Sequence, residues 1–236
     1  HSACVTALIE AKASVDLQAK NGDSALIIAA SKGHSDCVMA LIEAKAAVDL
    51  QTKNGDSALI LAASHGHQPC VTALIEAKAS VDLQSKDGSS ALILAALKGH
   101  APCVTALLKA KANVDLHDIH AQSALILAAL NGHAPCVTAL IEAKAAVDLQ
   151  TKNGNSALIL AALKGHAPCA TALIEAKASV NKQAEDGYSP LMAAAEMGHA
   201  PCVTALIEAK ADVHLQNNKD GNSALICAAL NGHSAC

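Results

Sequence analysis

Apolar residues return in the same two short bursts every 33 residues along the chain. In the stretch from Asn54 to Lys86, the first burst is Leu59, Leu61, Ala62 and Ala63. The second is Cys70, Val71, Leu74 and Ile75, at positions i, i+1, i+4 and i+5, which form one buried stripe of a helix. Thr72 and Glu76 fall outside that stripe. Polar punctuation divides the bursts. Asn54-Gly55 is a tight-turn signal. Ser57 is placed to cap a short helix from Ala58 to about His65. Gly66 ends it as a left-handed residue, and Pro69 stands near the first position of a second helix, where its missing N–H costs nothing. After Glu76-Ala77-Lys78-Ala79 the pattern becomes extended at Val81-Asp82-Leu83-Gln84. Each block therefore predicts helix, loop, helix, and a hairpin-like loop leading to the next block.

Complete copies run 21–53, 54–86, 87–119, 120–152, 153–185 and 186–219, the last with one extra residue in Gln216-Asn217-Asn218-Lys219. Residues 1–20 are the second half of a copy, and residues 220–236 the first half of another. A fixed period of this size predicts an all-α solenoid, in which each unit buries its apolar face only against its neighbours. Residues 1–236 then read as a single solenoid domain. The chain opens on His1-Ser2-Ala3-Cys4 and closes on His233-Ser234-Ala235-Cys236, the same phase of the block. Val5, Leu8 and Ile9 lie near one end, and Leu225, Ile226 and Cys227 near the other, where a finished array carries a polar outer face. The expectation is a segment of a longer array, or uncapped ends that self-associate.

The block resembles the ankyrin repeat. That family's pattern reads G-x-T-P-L-H-x-A-A-x-x-G-H, then V-V-x-L-L, then G-A-x-V-N. Here it reads Gly55-x-Ser57-Ala58-Leu59-Ile60-x-Ala62-Ala63-x-x-Gly66-His67, then Cys70-Val71-x-x-Leu74-Ile75, then Lys78-Ala79-x-Val81-Asp82. The resemblance recurs in register over the whole chain, and Tyr188-Ser189-Pro190-Leu191-Met192 comes nearest to T-P-L-H. It implies helix-loop-helix units joined by hairpin-like loops. It also implies that the Gly-His histidine hydrogen-bonds the inter-helix loop. Partners would lie on a concave surface built from the hairpin tips and first helices.

Two departures matter. The histidine of T-P-L-H is replaced by Ile27, Ile60, Ile93, Ile126, Ile159, Met192 and Ile226, which exchanges a hydrogen bond for apolar packing. The family's second glycine is replaced by Lys12, Lys45, Lys78, Lys111, Lys144, Lys177 and Lys210. A lysine held left-handed costs on the order of 1 kcal/mol against glycine.

Composition narrows the function. Hydrophobic residues are 52% of the chain, yet Phe and Trp are absent and Tyr188 is the only aromatic, so the core is built of Ala, Leu, Ile, Val and Cys. The net charge is −4, and all 17 basic residues are lysines. Without arginine forks or stacking aromatics, nucleic acid is not the expected partner. No apolar stretch approaches the ~20 residues of a membrane span. No leader is visible, although the chain opens inside a block, so its true N-terminus is expected upstream.

The polar ladders read as scaffold. Cys4, Cys37, Cys70, Cys103, Cys136, Cys169, Cys202 and Cys236 recur in phase, and Cys227 alone stands outside. Stacked helices lie about 8–10 Å apart, too far for disulfides between neighbouring rungs. The cysteines are expected as small buried hydrophobes, and nine free thiols point to a reducing, intracellular and cytoplasmic setting. His67 and Cys70, spaced as His-x-x-Cys, offer two ligands where zinc takes four, so no metal and no cofactor is expected. Lys45 with Asp49 exemplifies a charge-balanced face. Polar groups repeated this evenly contain no asymmetric catalytic constellation, and an enzyme is not expected.

Function is sought where the pattern breaks. Leu97, Leu130 and Leu163, followed by Lys98, Asn131 and Lys164, place apolar rungs at the end of three first helices. Two readings stand: an exposed apolar stripe that binds a partner, or extra packing against the hairpin tips. The loop His117-Asp118-Ile119-His120-Ala121-Gln122 loses its turn glycine and gains Ile119. Lys109 breaks a glutamate ladder, and Tyr188, Glu196, Met197 and the insertion near Asn217 complete the exceptions. The expected function is a non-enzymatic protein-interaction scaffold, its partner lying over Leu97 to Leu163, with His117, Ile119, His120 and Tyr188 as further candidates. The alternative is a structural array or filament built by end-to-end stacking or a very long repeat chain.

Overall fold

The computed structural model describes residues 2–234, so His1 and Cys236, which the sequence pattern places at the two ends, lie outside the described residues. The chain divides into two compact units, residues 1–119 and 120–236. The first contains α1 (Ser2–Glu10), α2 (Ala25–Ser31), α3 (Ser35–Glu43), α4 (Ala58–Ser64), α5 (Gln68–Glu76), α6 (Ala91–Leu97) and α7 (Ala101–Lys109). The short helices α2, α4 and α6 stack in one layer, and the longer α1, α3, α5 and α7 stack in a second. The second unit contains α8 (Ala124–Leu130), α9 (Ala134–Glu142), α10 (Ala157–Leu163), α11 (Ala167–Glu175), α12 (Pro190–Glu196), α13 (Ala200–Glu208) and α14 (Ala224–Leu230). There α8, α10, α12 and α14 form the layer of short helices, and α9, α11 and α13 the layer of longer ones. Isolated antiparallel bridges such as Gln51 to Ser57 close the hairpin-like loops and are the β-structure of the described residues.

Local chemistry explains each element. The Ser57 hydroxyl accepts the Ile60 N–H at 3.3 Å and starts α4, as expected of a cap. Gly66 follows the helix with φ +76° and terminates it. Pro69 occupies the first turn of α5, whose own early N–H groups have no helical partner. Leu59, Ile60, Ala62 and Ala63 of α4 are buried, while Leu61 is only half-buried, which corrects the expected apolar side of this helix. Ile60, 1% exposed, replaces the histidine of the family pattern with packing. On α5 the stripe is Cys70, Val71 and Leu74, fully buried, with Ile75 at its half-buried margin. Val81 and Asp82 form a turn rather than extended chain, and pairing begins only at Gln84.

Lys78 has φ +66°, and the other six lysines of its ladder lie between +63° and +68°. The left-handed strain expected from the sequence is therefore present seven times.

Neighbouring copies are stapled by polar groups that sequence spacing alone does not pair. Within the first unit, the Lys86 N–H donates to the Asn54 carbonyl at 2.9 Å, which ties one hairpin tip to the next. Gln51 donates both amide hydrogens, one to Gly55 in its own loop and one to the Gln84 carbonyl in the next copy at 3.1 Å. Asp49 accepts the Ser80 N–H at 2.8 Å. In the second unit the same roles fall to Gln150, which bonds the Gln183 carbonyl at 3.1 Å, and Asp148, which accepts the Ser179 N–H at 2.8 Å.

The histidine ladder also differs from expectation. His67 bonds the Ser31 carbonyl at the end of α2 in the preceding copy, not its own inter-helix loop, with Nε2 at 3.2 Å from the oxygen. His100 on Ser64 in the first unit, and His166 on Leu130 in the second, repeat that contact. The reason is reach. The imidazole leaves the N-cap of α5 directed across the groove between stacked copies, where helix-end carbonyls have no helical donor.

Candidate functional site

The leucine rungs are half-buried, between the two readings of an exposed stripe and of packing against the hairpin tips. Leu97 is the last residue of α6 in the first unit, and Leu130 and Leu163 end α8 and α10 in the second. Leu163 packs against the cluster of Ile159, Ala184 and Ala193, so the end of its own copy and α12 of the next cover part of it. The residues after the rungs, Lys98, Asn131 and Lys164, are exposed C-caps. Each rung is thus an apolar shoulder with a polar residue beside it.

The divergent loop is divided between the two units. In the first, the His117 carbonyl accepts the Gln84 amide at 3.1 Å, and the Ile119 N–H donates to Asp87 at 2.9 Å. Ile119 remains 51% exposed, so its backbone is fixed while its side chain faces solvent. In the second unit His120 is exposed, and Ala121 holds φ +58° at the position of the turn glycines. Among the described residues, no group of three His, Cys, Asp or Glu side chains stands close enough to hold a metal ion.

Both units carry a pocket where one hairpin tip meets the next. That of the first unit, about 320 Å³, is lined by Asn54, Asp56, Ser85, Lys86 and Asp87. Burial, and then the nearby Asp87 carboxylate, hold the Asp56 carboxyl above the usual carboxylate range. That of the second unit, about 210 Å³, is lined by His120, Gln122, Thr151, Lys152 and Asn153, with Leu130 among its walls.

A third feature gathers exceptions that lie far apart in sequence. The Tyr188 hydroxyl donates to Glu196 Oε1 at 3.3 Å. The buried Asn217 amide nitrogen lies beside that ring without completing a well-formed hydrogen bond, and the Cys227 thiol is also adjacent. Burial, followed by the Glu196 charge, pushes both the Tyr188 phenol and the Cys227 thiol up. Asn217 also accepts the Asp220 N–H at 2.9 Å, so the extra residue of this copy folds around its side-chain oxygen.

The ladder cysteines are mostly buried. Cys37, Cys70, Cys103, Cys136, Cys169 and Cys202 are buried and in no disulfide, as the ladder predicts. Burial and, second, the neighbouring Cys70 thiol push Cys103 up to about 11. Cys169 rises to about 11 for the same reasons, with Cys202 as its neighbour. Among the described cysteines Cys4 is the exposed one, which corrects the expected burial at that rung.

The family described as ankyrin repeats (3 copies) matches residues 1–87, 45–118, 77–150, 92–184, 125–217 and 176–236. The chain belongs to the ankyrin repeat family. The crystal structure of the human ASB11 ankyrin repeat domain is similar, with 30% identity, a TM-score of 0.82, and coverage of 90% of this chain and 96% of that one. No curated protein sequence matches the chain significantly. Ankyrin repeats generally mediate protein–protein interaction and are typically non-enzymatic. Measured against the ankyrin pattern, the present repeats keep the Gly-His pair and place a serine hydroxyl where the pattern has threonine. They change the T-P-L-H histidine and the second glycine throughout. No helix among the described residues is long and apolar enough to cross a membrane.

Proposed function

We propose that this ankyrin repeat chain is a non-enzymatic interaction scaffold whose partner engages the hairpin tips and the C-terminal ends of the first helices. One observation carries this reading: variation is concentrated at the ends of the first helices and at the hairpin tips, while most of the stapling and core positions repeat. Cap serines and left-handed lysines recur copy after copy, as do the isoleucines except at Met192 and the stapling glutamines except at His117. The pairs Ser31-Lys32, Ser64-His65, Leu97-Lys98, Leu130-Asn131 and Glu196-Met197, and the tip side chains, differ between copies. A scaffold needs a constant frame and a variable face, and these residues divide in that way. The half-buried leucines contribute apolar area without a large exposed patch.

Photo-cross-linking tests the face. A photoreactive side chain is introduced at Asn131 or Lys164, beside the rungs, or at Thr138 or Thr171, exposed on the longer helices α9 and α11. Partner adducts are expected from the first pair and not from the second. Adducts confined to Thr138 and Thr171 would place the partner on the opposite layer and refute the reading.

A further inference from the structure

The two tip pockets occupy the same register of the repeat. Asn54, Asp56, Ser85, Lys86 and Asp87 in the first unit correspond to His120, Gln122, Thr151, Lys152 and Asn153 in the second. The backbone frame is also shared, since Lys86 N–H bonds the Asn54 carbonyl at 2.9 Å and Lys152 N–H bonds that of His120 at 3.1 Å. What differs is charge. Asp56 becomes Gln122, Asp87 becomes Asn153, and Asn54 becomes His120. The first pocket holds two aspartates and one lysine, while the second holds one lysine, one histidine and no carboxylate. The wall differs as well: Leu130 stands where the first unit has Ser64.

We propose that the pocket of the second unit binds the carboxylate side chain of an aspartate or glutamate on a partner polypeptide, with an adjacent apolar side chain of that partner seated on Leu130. The proposal rests on the interaction-scaffold reading and names the partner's chemistry. A carboxylate only accepts hydrogen bonds, and here it meets the Lys152 ammonium with the amide donors of Gln122 and Asn153. Lys152 supplies the charge, and the amides and the Thr151 hydroxyl supply direction. In the first unit the same ligand would face Asp56 and Asp87, a like-charge arrangement that excludes it. Burial first, and the Asp87 charge second, already hold the Asp56 carboxyl above its usual range. One repeat frame thus presents opposite charge preferences in two places.

The test exchanges one pocket for the other. Short random-sequence peptides displayed on phage are selected on the complete chain, and the enriched peptides are synthesised and titrated by fluorescence anisotropy. They are expected to carry Asp or Glu beside Leu, Ile or Val, and to lose affinity as salt rises. The double substitution Gln122→Asp/Asn153→Asp copies the charges of the first unit. Aspartate already stands at both equivalent positions, at Asp56 and Asp87, so the frame accommodates the change, which circular dichroism verifies. Affinity is expected to fall about tenfold or more, as like charges demand. Lys152→Gln should act in the same direction, and Lys86→Gln in the first unit should do nothing. Enriched peptides without acidic residues, or with affinity unchanged by the double substitution but weakened at Leu97 and Lys98, overturn the pocket and leave the scaffold reading standing. Selection that yields no peptide, or peptides blocked by changes at Thr138 and Thr171, overturns both.

Discussion

The imidazole of His67 reaches back 36 residues to the carbonyl of Ser31, Nε2 to oxygen at 3.2 Å, and rests against Gly33 as it does so. A Cβ on Gly33 would stand 2.6 Å from the His67 Nδ1 atom. Gly33 also has φ +73°, so it serves a left-handed turn and a close ring approach at once.

Gly33→Ala should therefore cost about 2–3 kcal/mol, combining left-handed strain with loss of the displaced histidine's hydrogen bond. His67→Ala alone should cost about 0.5–1.5 kcal/mol. The double variant should cost less than the sum of the two, because removing the ring removes the clash. Urea denaturation of the four proteins measures the coupling, and strict additivity would contradict the contact.

Lys78 pays left-handed strain at φ +66° with nothing gained from its side chain in the fold, as it is exposed. Lys78→Gly should stabilise the chain by roughly 0.5–1 kcal/mol. Ala121→Gly, at φ +58°, should act in the same direction. Lys78→Val, β-branched, should destabilise it. A loss of stability on Lys78→Gly would show that unfolded-state entropy outweighs native strain at this turn.

The thiols give a pH dependence with a definite sign. Folding raises Cys103 and Cys169 from 9.0 to about 11, so the fold favours the neutral thiol. Their contribution is complete below about pH 9 and is lost as pH rises towards 11. Melting temperature should fall across that window, and replacing both cysteines by alanine should flatten the fall. In native protein at neutral pH, Cys4 should react rapidly with a thiol reagent and the buried set slowly, all reacting in denaturant.

Asp56 behaves oppositely to a stabilising carboxylate. Its folded value lies above 3.8, so its neutral form is favoured and its charge at neutral pH opposes folding. Asp56→Asn should raise stability at pH 7 by a few tenths of a kcal/mol, since solvent screens much of the repulsion. The gain should vanish near pH 3, where Asp56 is neutral in both states. Urea melts at the two pH values measure the difference.

The period, the capping serines, the glycine stops and the left-handed lysines were all legible in the sequence because each acts within one copy. The staples were not. Nothing in the spacing of Gln51 or Asp49 says that its partner is the Gln84 carbonyl or the Ser80 amide, since those contacts arise only when copies stack. The partner of His67, the Ser31 carbonyl of the preceding copy, is hidden for the same reason. The leucine rungs were recognised as exceptions, but their half-burial comes from tertiary packing, as where Leu163 meets Ala184 and Ala193, which spacing alone does not reveal. Tyr188, Glu196, Asn217 and Cys227 were noted singly. Their meeting in one cluster depends on how the extra residue near Asn217 folds, and that is a tertiary outcome.

The tips are joined by backbone groups, as where Lys86 N–H meets the Asn54 carbonyl, and a backbone bond survives almost any change of side chain. This separates heredity of shape from heredity of preference. A duplicated copy inherits its adhesion intact, and its tip residues are then free to drift. A lineage can exchange one partner for another by single substitutions, with every ancestor along the way still folded.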